Sequence, residues 1–283
     1  MPLPNENAPL SVTPGSIRFN TDSMKLEYYR GGPVGFGTTT QTGEWVNITT
    51  DSPDIQTGGA RGLFGGGYTP ATTNTIDYVT ITTTGNAIDF GDLTYSAGIL
   101  KGGASSITRG LFQGGRFAIN TINFITISSI GNAQDFGDLT VGREDPAGVS
   151  NSTRGVFMGG GQHPGASPLL DFVNTIDYVT IASTGNANDF GDITIARRHQ
   201  GECASSTRGI CVGGFGYSNN LNVIDFISIS TLGNAADFGD LTQLSYGTSG
   251  SSNSVRGIIA IGNGNGSNSN AIEYITIATL GNA

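Results

Sequence analysis

Charge is scarce in this chain of 283 residues: Asp, Glu, Lys and Arg together make up 12% of it. Lysine occurs only as Lys25 and Lys101, and the net charge is −9. Nucleic acid requires a basic footprint on its partner, so that class of ligand is excluded. The chain has no apolar run of the roughly 20 residues that a spanning helix needs, so membrane insertion is not expected. The start, Met1-Pro2-Leu3-Pro4-Asn5-Glu6, carries neither a basic segment nor an apolar stretch. No signal peptide is therefore expected, and the place of synthesis is a cytoplasm.

Cysteine is limited to Cys203 and Cys211. Other copies of the repeat described below place Ala104, Val149 and Ser251 at the first position, and Phe64, Phe112, Phe157 and Ile259 at the second. Both cysteines thus read as small core residues. They flank a tight turn, so a cross-strand disulfide is geometrically conceivable. Two isolated cysteines do not make a zinc site, and no metal or cofactor is expected.

Glycine, in contrast, is abundant at 45 residues. Much of it falls in a motif completed four times: GNAIDFGDLT at 85–94, GNAQDFGDLT at 131–140, GNANDFGDIT at 185–194 and GNAADFGDLT at 233–242. A fifth copy begins at Gly281-Asn282-Ala283. An Arg-Gly pair recurs at Arg61, Arg109, Arg154, Arg208 and Arg256, with spacings of 48, 45, 54 and 48. Periods of this size with Gly doublets point to four-stranded propeller blades. Within one copy, strand a precedes a short turn, strand b starts at Arg-Gly, strand c is NTIDYVTI or a variant, and strand d is the DFGDLT segment. Strand c has β-branched and aromatic residues on both faces, as a doubly covered strand requires.

The expected fold is all-β: a five-bladed β-propeller preceded by a small β-hairpin leader. Glu44-Thr49 aligns with DFGDLT, and its expected role is the outer strand of the fifth blade, closing the ring and removing two exposed edges. An open solenoid is the alternative. The domains would then be a leader over 1–43 and the propeller over 44–283.

Propeller geometry puts the b–c and d–a loops on one face and the a–b and c–d turns on the other. The turns barely vary among copies, whereas the loops vary strongly, and function usually resides on such loops. The rim between blades 3 and 4 gathers His163, Asp171, Arg197, Arg198, His199, Glu202, Tyr217 and Asn219, with Asn220 nearby, as a candidate polar ligand patch; a solvated loop cluster is the alternative. The Asp pairs of the DFGD segments read as turn hydrogen bonds and partners for the recurring Arg, with calcium binding as the other option. The Asp-Phe-Gly triplet is no kinase signature, since the phosphate loop and catalytic loop are missing. No catalytic residues are expected, because the rim patch lacks a convincing acid–base or nucleophile pair.

Residues 1–14 contain four prolines and few apolar anchors. Ile17 and Phe19 alternate on one arm of a hairpin and Leu26 and Tyr28 on the other. A lone hairpin is too small to stand by itself, so these four residues are the candidate attachment element.

The Gly doublets and the aromatics of strands c (Tyr78, Phe124, Tyr178, Phe226, Tyr274) and d (Phe90, Phe136, Phe190, Phe238, Trp45) resemble kelch-type propeller repeats. The leader GSIRFNTDSMKLEYY followed by GEWVNIT resembles a short module of tail-fibre and other virion proteins of tailed bacteriophages. Its combination with tandem GNAxDFGDLT repeats is similar to structural proteins of marine cyanobacterial phages (cyanophages). The resemblance implies a non-enzymatic virion protein, tail-associated, that meets a host-surface glycan or protein. Its partners would be other tail or capsid proteins, and a homo-oligomer is compatible with it. A decoration protein of capsid or tail is the alternative, and a glycan-active enzyme ranks below both.

Overall fold

The computed structural model describes residues 15–20, 25–31, 43–47, 61–68, 70–98, 100–115, 119–162 and 171–283. His163, residues 1–14, most of the Gly/Thr linker and residues 48–49 lie outside them. The described chain is all-β with antiparallel sheets and no helix. It divides into two units, Met1–Ile55 and Gln56–Ala283.

The first unit holds one three-stranded sheet: Ile17–Asn20, Lys25–Gly31 and Gly43–Asn47. The expected hairpin forms, with Ile17 opposite Tyr28 and Phe19 opposite Leu26; Asn20, expected in the turn, pairs with Lys25. Ile17, Phe19 and Leu26 are exposed. Tyr29 is buried, with its ring 5.3 Å from that of Trp45, over which Arg18 stacks at 4.2 Å. Hydrogen bonds from Asn20 and Arg18 hold the Glu27 carboxyl below its usual range.

Gly43–Asn47 joins the hairpin as a third strand: among the described residues it pairs with Lys25–Gly31, placing Trp45 opposite Tyr29. In its alignment with DFGDLT, Val46 stands where the repeats have Gly91, Gly137, Gly191 and Gly239, whose φ values run from 143° to 149°. A Cβ on any of these glycines would lie 2.4–2.5 Å from the carbonyl oxygen of the following repeat's Gly. A β-branched side chain does not fit that position.

Among the described residues the second unit stacks five sheets of three or more strands, beside one two-stranded ribbon. The first has Arg61–Gly65, Thr73–Thr80 and Ile88–Ala97 as strands b, c and d. The second runs Ala104–Ser105, Arg109–Gln113, Thr121–Thr126 and Gln134–Asp138. The third runs Ala147–Ser150, Arg154–Met158, Thr175–Thr180 and Asn188–Asp192. In the fourth, Gly201–Ala204, Arg208–Val212, Leu221–Ser228 and Ala236–Tyr246 continue into two short strands from the next loop. The fifth has Ser249–Ser252, Arg256–Ala260 and Ile272–Thr276, strands a to c.

The invariant motif is the joint between sheets. Between the second and third, Gly185 N donates to Phe136 O at 2.7 Å, Ala187 N donates to Asp138 O at 2.7 Å, and Asp138 N donates to Asn186 Oδ1 at 3.1 Å. The same set recurs at the other three joints, ending with Gly281, Asn282 and Ala283 on Phe238 and Asp240. The recurring Arg also bridges sheets: Arg61, Arg109, Arg154 and Arg208 donate to the carbonyls of Ile127, Ile181, Ile229 and Ile277. Each of these Arg side chains stacks 4.7–4.8 Å over the aromatic ring of its own strand c. The expected Arg–Asp pairing of the DFGD segments is therefore replaced by carbonyl bonds and cation–π contact. Asp89 and Asp135 instead accept from the backbone N–H of Gly91 and Gly137, as turn hydrogen bonds.

Four apolar cores fill the four joints. One gathers Val156, Met158, Ile176 and Phe190 of the third sheet with Cys211, Ile227 and Ile229 of the fourth. The others repeat the plan. Each buried aliphatic side chain contributes roughly 1.5–3 kcal/mol, so joints, rather than isolated sheets, carry the stability. The two end sheets differ from the inner ones. Ile272 is 70% exposed, whereas its equivalents Ile76, Ile122, Ile176 and Ile224 are at 0%. At the other end Phe64 and Ile81 are exposed, whereas Phe157, Ile181 and Ile229 are buried. The array also curves: Lys101, leading into the second sheet, donates from Nζ to the carbonyl of Thr248, leading into the fifth, at 2.9 Å.

Candidate functional site

The loops that feed strand a are seated by the Gly doublets that end strand b. Gly115 N and Gly160 N donate to the carbonyls of Arg143 and Arg197, and Gly214 N donates to that of Ser245. The first glycine of each doublet has φ between 59° and 69°. A Cβ on Gly114 would stand 2.4 Å from Arg143 O. Here the doublet is required both for a left-handed turn and for close approach of backbone.

Two adjacent loops then bring the rim residues together. Gly161–Gln162 pairs with Asp171–Phe172 as a short ribbon. Arg198 and Phe215 bond through their backbones, which ties the fourth sheet's two variable loops together. Along this rim the rings form a ladder. Phe172 lies 5.0 Å from Tyr217 and 6.0 Å from Phe215, Phe215 lies 5.9 Å from Tyr246, and Tyr246 lies 6.1 Å from His199. Tyr217 is 65% exposed, and its hydroxyl donates to the Asp171 carboxylate and to Phe172 O. The bond to Asp171 raises the Tyr217 hydroxyl above its ordinary pKa. Asn219 is exposed beside it.

Of the expected patch, Asp171, Arg198, His199, Tyr217 and Asn219 thus share one rim. Arg197 does not belong to it. Its side chain is fully buried and paired with Asp225 at 2.9 Å, so it faces the core rather than a ligand. Glu202 turns inward too, and its Oε2 is buried without a hydrogen-bond partner. His163 lies outside the described residues. Arg198 Nη1 reaches Glu144 Oε1 at 2.8 Å, which ties the loops of the third and fourth sheets together.

Behind the rim lies a polar cluster that the sequence reading does not anticipate. Asp145 and His199 hold the same place in consecutive repeats, with φ of 55° and 56°. Asp145 Oδ2 lies 3.2 Å from His199 Nδ1 and has no hydrogen-bond partner of its own. Burial pushes the Asp145 carboxyl up to about 7 and the Glu202 carboxyl up to about 7. Burial, then the charges of Arg198 and Lys101, push His199 down to about 4. The Asp145–His199 contact is therefore a neutral pair between those values rather than an ion pair. Burial also lowers the Lys101 ammonium, against the pull of Glu202 and Asp145. Lysine's near absence elsewhere was the available signal for this cluster. Lys101 holds the repeat position of Pro146, Gln200 and Thr248, where each chain segment turns into strand a.

No family model matches the chain, and no curated protein matches it in sequence. Its function is therefore argued from the site itself. Among the described residues no group of three or more His, Cys, Asp or Glu converges on one point as metal ligands would. Among the described residues no helix is long and apolar enough to cross a membrane.

Proposed function

We propose that the chain is a non-enzymatic structural protein of a bacteriophage particle that binds a host-surface glycan through its variable loop face. In this reading the five sheets are the blades of a propeller, and the Lys101–Thr248 contact spans its axis. The leader attaches the propeller to the tail, with Ile17, Phe19, Leu26 and Tyr28 as its contact surface.

The observation that carries the reading is the aromatic ladder on the rim. An exposed ring, Tyr217, backed by the half-buried rings of Phe172, Phe215 and Tyr246 and by fixed polar groups suits a neutral sugar: ring faces cover its apolar C–H surface, while Asp171, Asn219 and Arg198 bond its hydroxyls. The opposite face repeats the same turns in every copy, as a scaffold does.

Purified Tyr217→Ala protein, titrated against marine cyanobacterial cells and their isolated surface polysaccharide, tests this. We expect at least about a tenfold loss of affinity for both. Equal binding by the variant and the parent chain would sink the reading. Binding to cells but not to polysaccharide would move it to a protein receptor.

A further inference from the structure

We propose that the buried Asp145 carboxyl is a positioning group for the rim: it decides which ring nitrogen of His199 carries the proton, and so makes Nε2 the acceptor for a hydroxyl of the bound sugar. The identity of the ligand rests on the glycan reading above; the proton switch itself does not.

The backbone singles out this pair. Among the described residues, only Asp145, His199 and Asn265 combine a side chain with a positive φ. Asp145 and His199 stand at equivalent repeat positions, where the segment leading into the fifth sheet has Gly247 at φ 65°. A Cβ is disfavoured in that conformation, and such residues persist where the surroundings over-determine them, typically at functional sites. The surroundings are on hand here. Glu144 and Gly161 exchange two backbone hydrogen bonds, and His199 O accepts from Gly247 N at 2.9 Å.

The side chains meet as a buried carboxyl behind a partly exposed ring. The Asp145 side chain is 3% exposed and that of His199 28%. Asp145 Oδ2, buried and otherwise unpartnered, faces His199 Nδ1 at 3.2 Å. Nε2 holds no hydrogen bond among the described residues, and the ring lies 6.1 Å from that of Tyr246 on the rim. The charged groups around the pair come from three segments. Glu144 precedes Asp145, Arg198 Nη1 stands 3.9 Å from Asp145 Oδ2, and Lys101 acts on both Asp145 and His199 from the second sheet's side. Glu202 acts on Lys101 in turn.

Two protonation states follow. Burial pushes Asp145 up to about 7 and His199 down to about 4, so the ring is neutral on both sides of pH 7. While Asp145 is protonated, its O–H donates to Nδ1, the ring proton sits on Nε2, and the rim is offered a donor. Once Asp145 is ionised, Nδ1–H donates to the carboxylate and Nε2 keeps a bare lone pair. Arg198, next along the rim, can only donate. A sugar hydroxyl that accepts from Arg198 has a proton of its own to give, and above pH 7 Nε2 takes it.

Nitrogen NMR of the full chain with isotope-labelled histidine reads the tautomer directly; a His163→Gln spectrum assigns the other ring. From about pH 5.5 to about pH 8.5 the His199 proton should move from Nε2 to Nδ1, with its midpoint near 7. In Asp145→Asn, which keeps the shape and cannot ionise, the spectrum should not change over that range. Affinity for the isolated cyanobacterial surface polysaccharide should rise about threefold to tenfold over the same range in the parent chain and stay level in Asp145→Asn. His199→Phe keeps a ring beside Tyr246 and should bind no more tightly at the high pH than at the low. A His199 tautomer that ignores pH, or that still changes in Asp145→Asn, overturns the proposal. A tautomer that switches while polysaccharide affinity stays level overturns the role of Nε2 and leaves the glycan reading standing. Absence of polysaccharide binding at every pH ends the glycan reading and that role together.

Discussion

Arg143 Nη2 donates to Asp177 Oδ2 at 2.8 Å, and neither side chain exposes any surface. Arg143 also bonds the carbonyls of Thr175 and Phe157, while Asp177 accepts from Thr140 of the preceding sheet. Arg197 and Asp225 repeat the pair one sheet later. In the second sheet Asn123 stands where Asp177 does, and Ala97 stands where Arg143 does, so both charges are lost together. Arg143→Met alone leaves a buried carboxylate and should cost about 3–5 kcal/mol in urea unfolding. The double variant Arg143→Met/Asp177→Leu should recover most of that loss, because a buried pair is close to neutral against a hydrophobic replacement.

The sheet joint separates a conformational requirement from a bonding one. Gly137 has φ of 143°, and a Cβ there would lie 2.4 Å from Gly185 O. Gly137→Val should destabilise by about 3 kcal/mol, combining backbone strain with overpacking. Asn186→Ala removes one exposed hydrogen bond to Asp138 N and should cost only about 0.5–1 kcal/mol. Thermal melts of the two variants side by side would measure the contrast.

Stability should fall as pH rises through neutrality. Asp145 and Glu202 are each pushed up to about 7 by burial, so between pH 4 and 7 the folded chain binds protons that the unfolded chain has released. Their contribution is complete near pH 4 and declines through pH 7. His199, pushed down to about 4, acts in the opposite sense between pH 4 and 6.5, but it is one group against two. Asp145→Asn and Glu202→Gln should therefore raise Tm at pH 8 and flatten its dependence on pH; a steeper dependence in either variant would contradict this.

Both thiols should be silent toward an aromatic disulfide reagent in the folded protein. Burial raises Cys203 to about 12 and Cys211 to about 11, so almost no thiolate forms at pH 8. They also sit in different cores on opposite faces of the fourth sheet, which leaves no route to the cross-strand disulfide that their spacing allows. Reaction should appear only in denaturant, with both thiols titrating together.

The repeat was legible because one period carries all the local information: alternation for strands, Gly for left-handed turns, and an aromatic at a fixed place in strands c and d. The hairpin that carries Ile17 and Phe19 on one arm and Leu26 and Tyr28 on the other was legible for the same reason. The place of Gly43–Asn47 was not. Trp45 and Asn47 match the outer strand chemically, while Val46 stands where Gly91 and its copies hold a positive φ. Arg197 and Arg198 are neighbours of identical type, yet one is a core ion pair and the other a rim contact, because successive loop residues point opposite ways.

Sequence alone determined that this chain is a tandem β array, since propensity and periodicity act over a few residues and repeat identically. Tertiary structure decided what the motif's polar groups bond to and which arginines are buried. Those outcomes depend on groups about 30 to 150 residues apart, such as Arg143 with Asp177 and Lys101 with Thr248, and no local pattern encodes that approach.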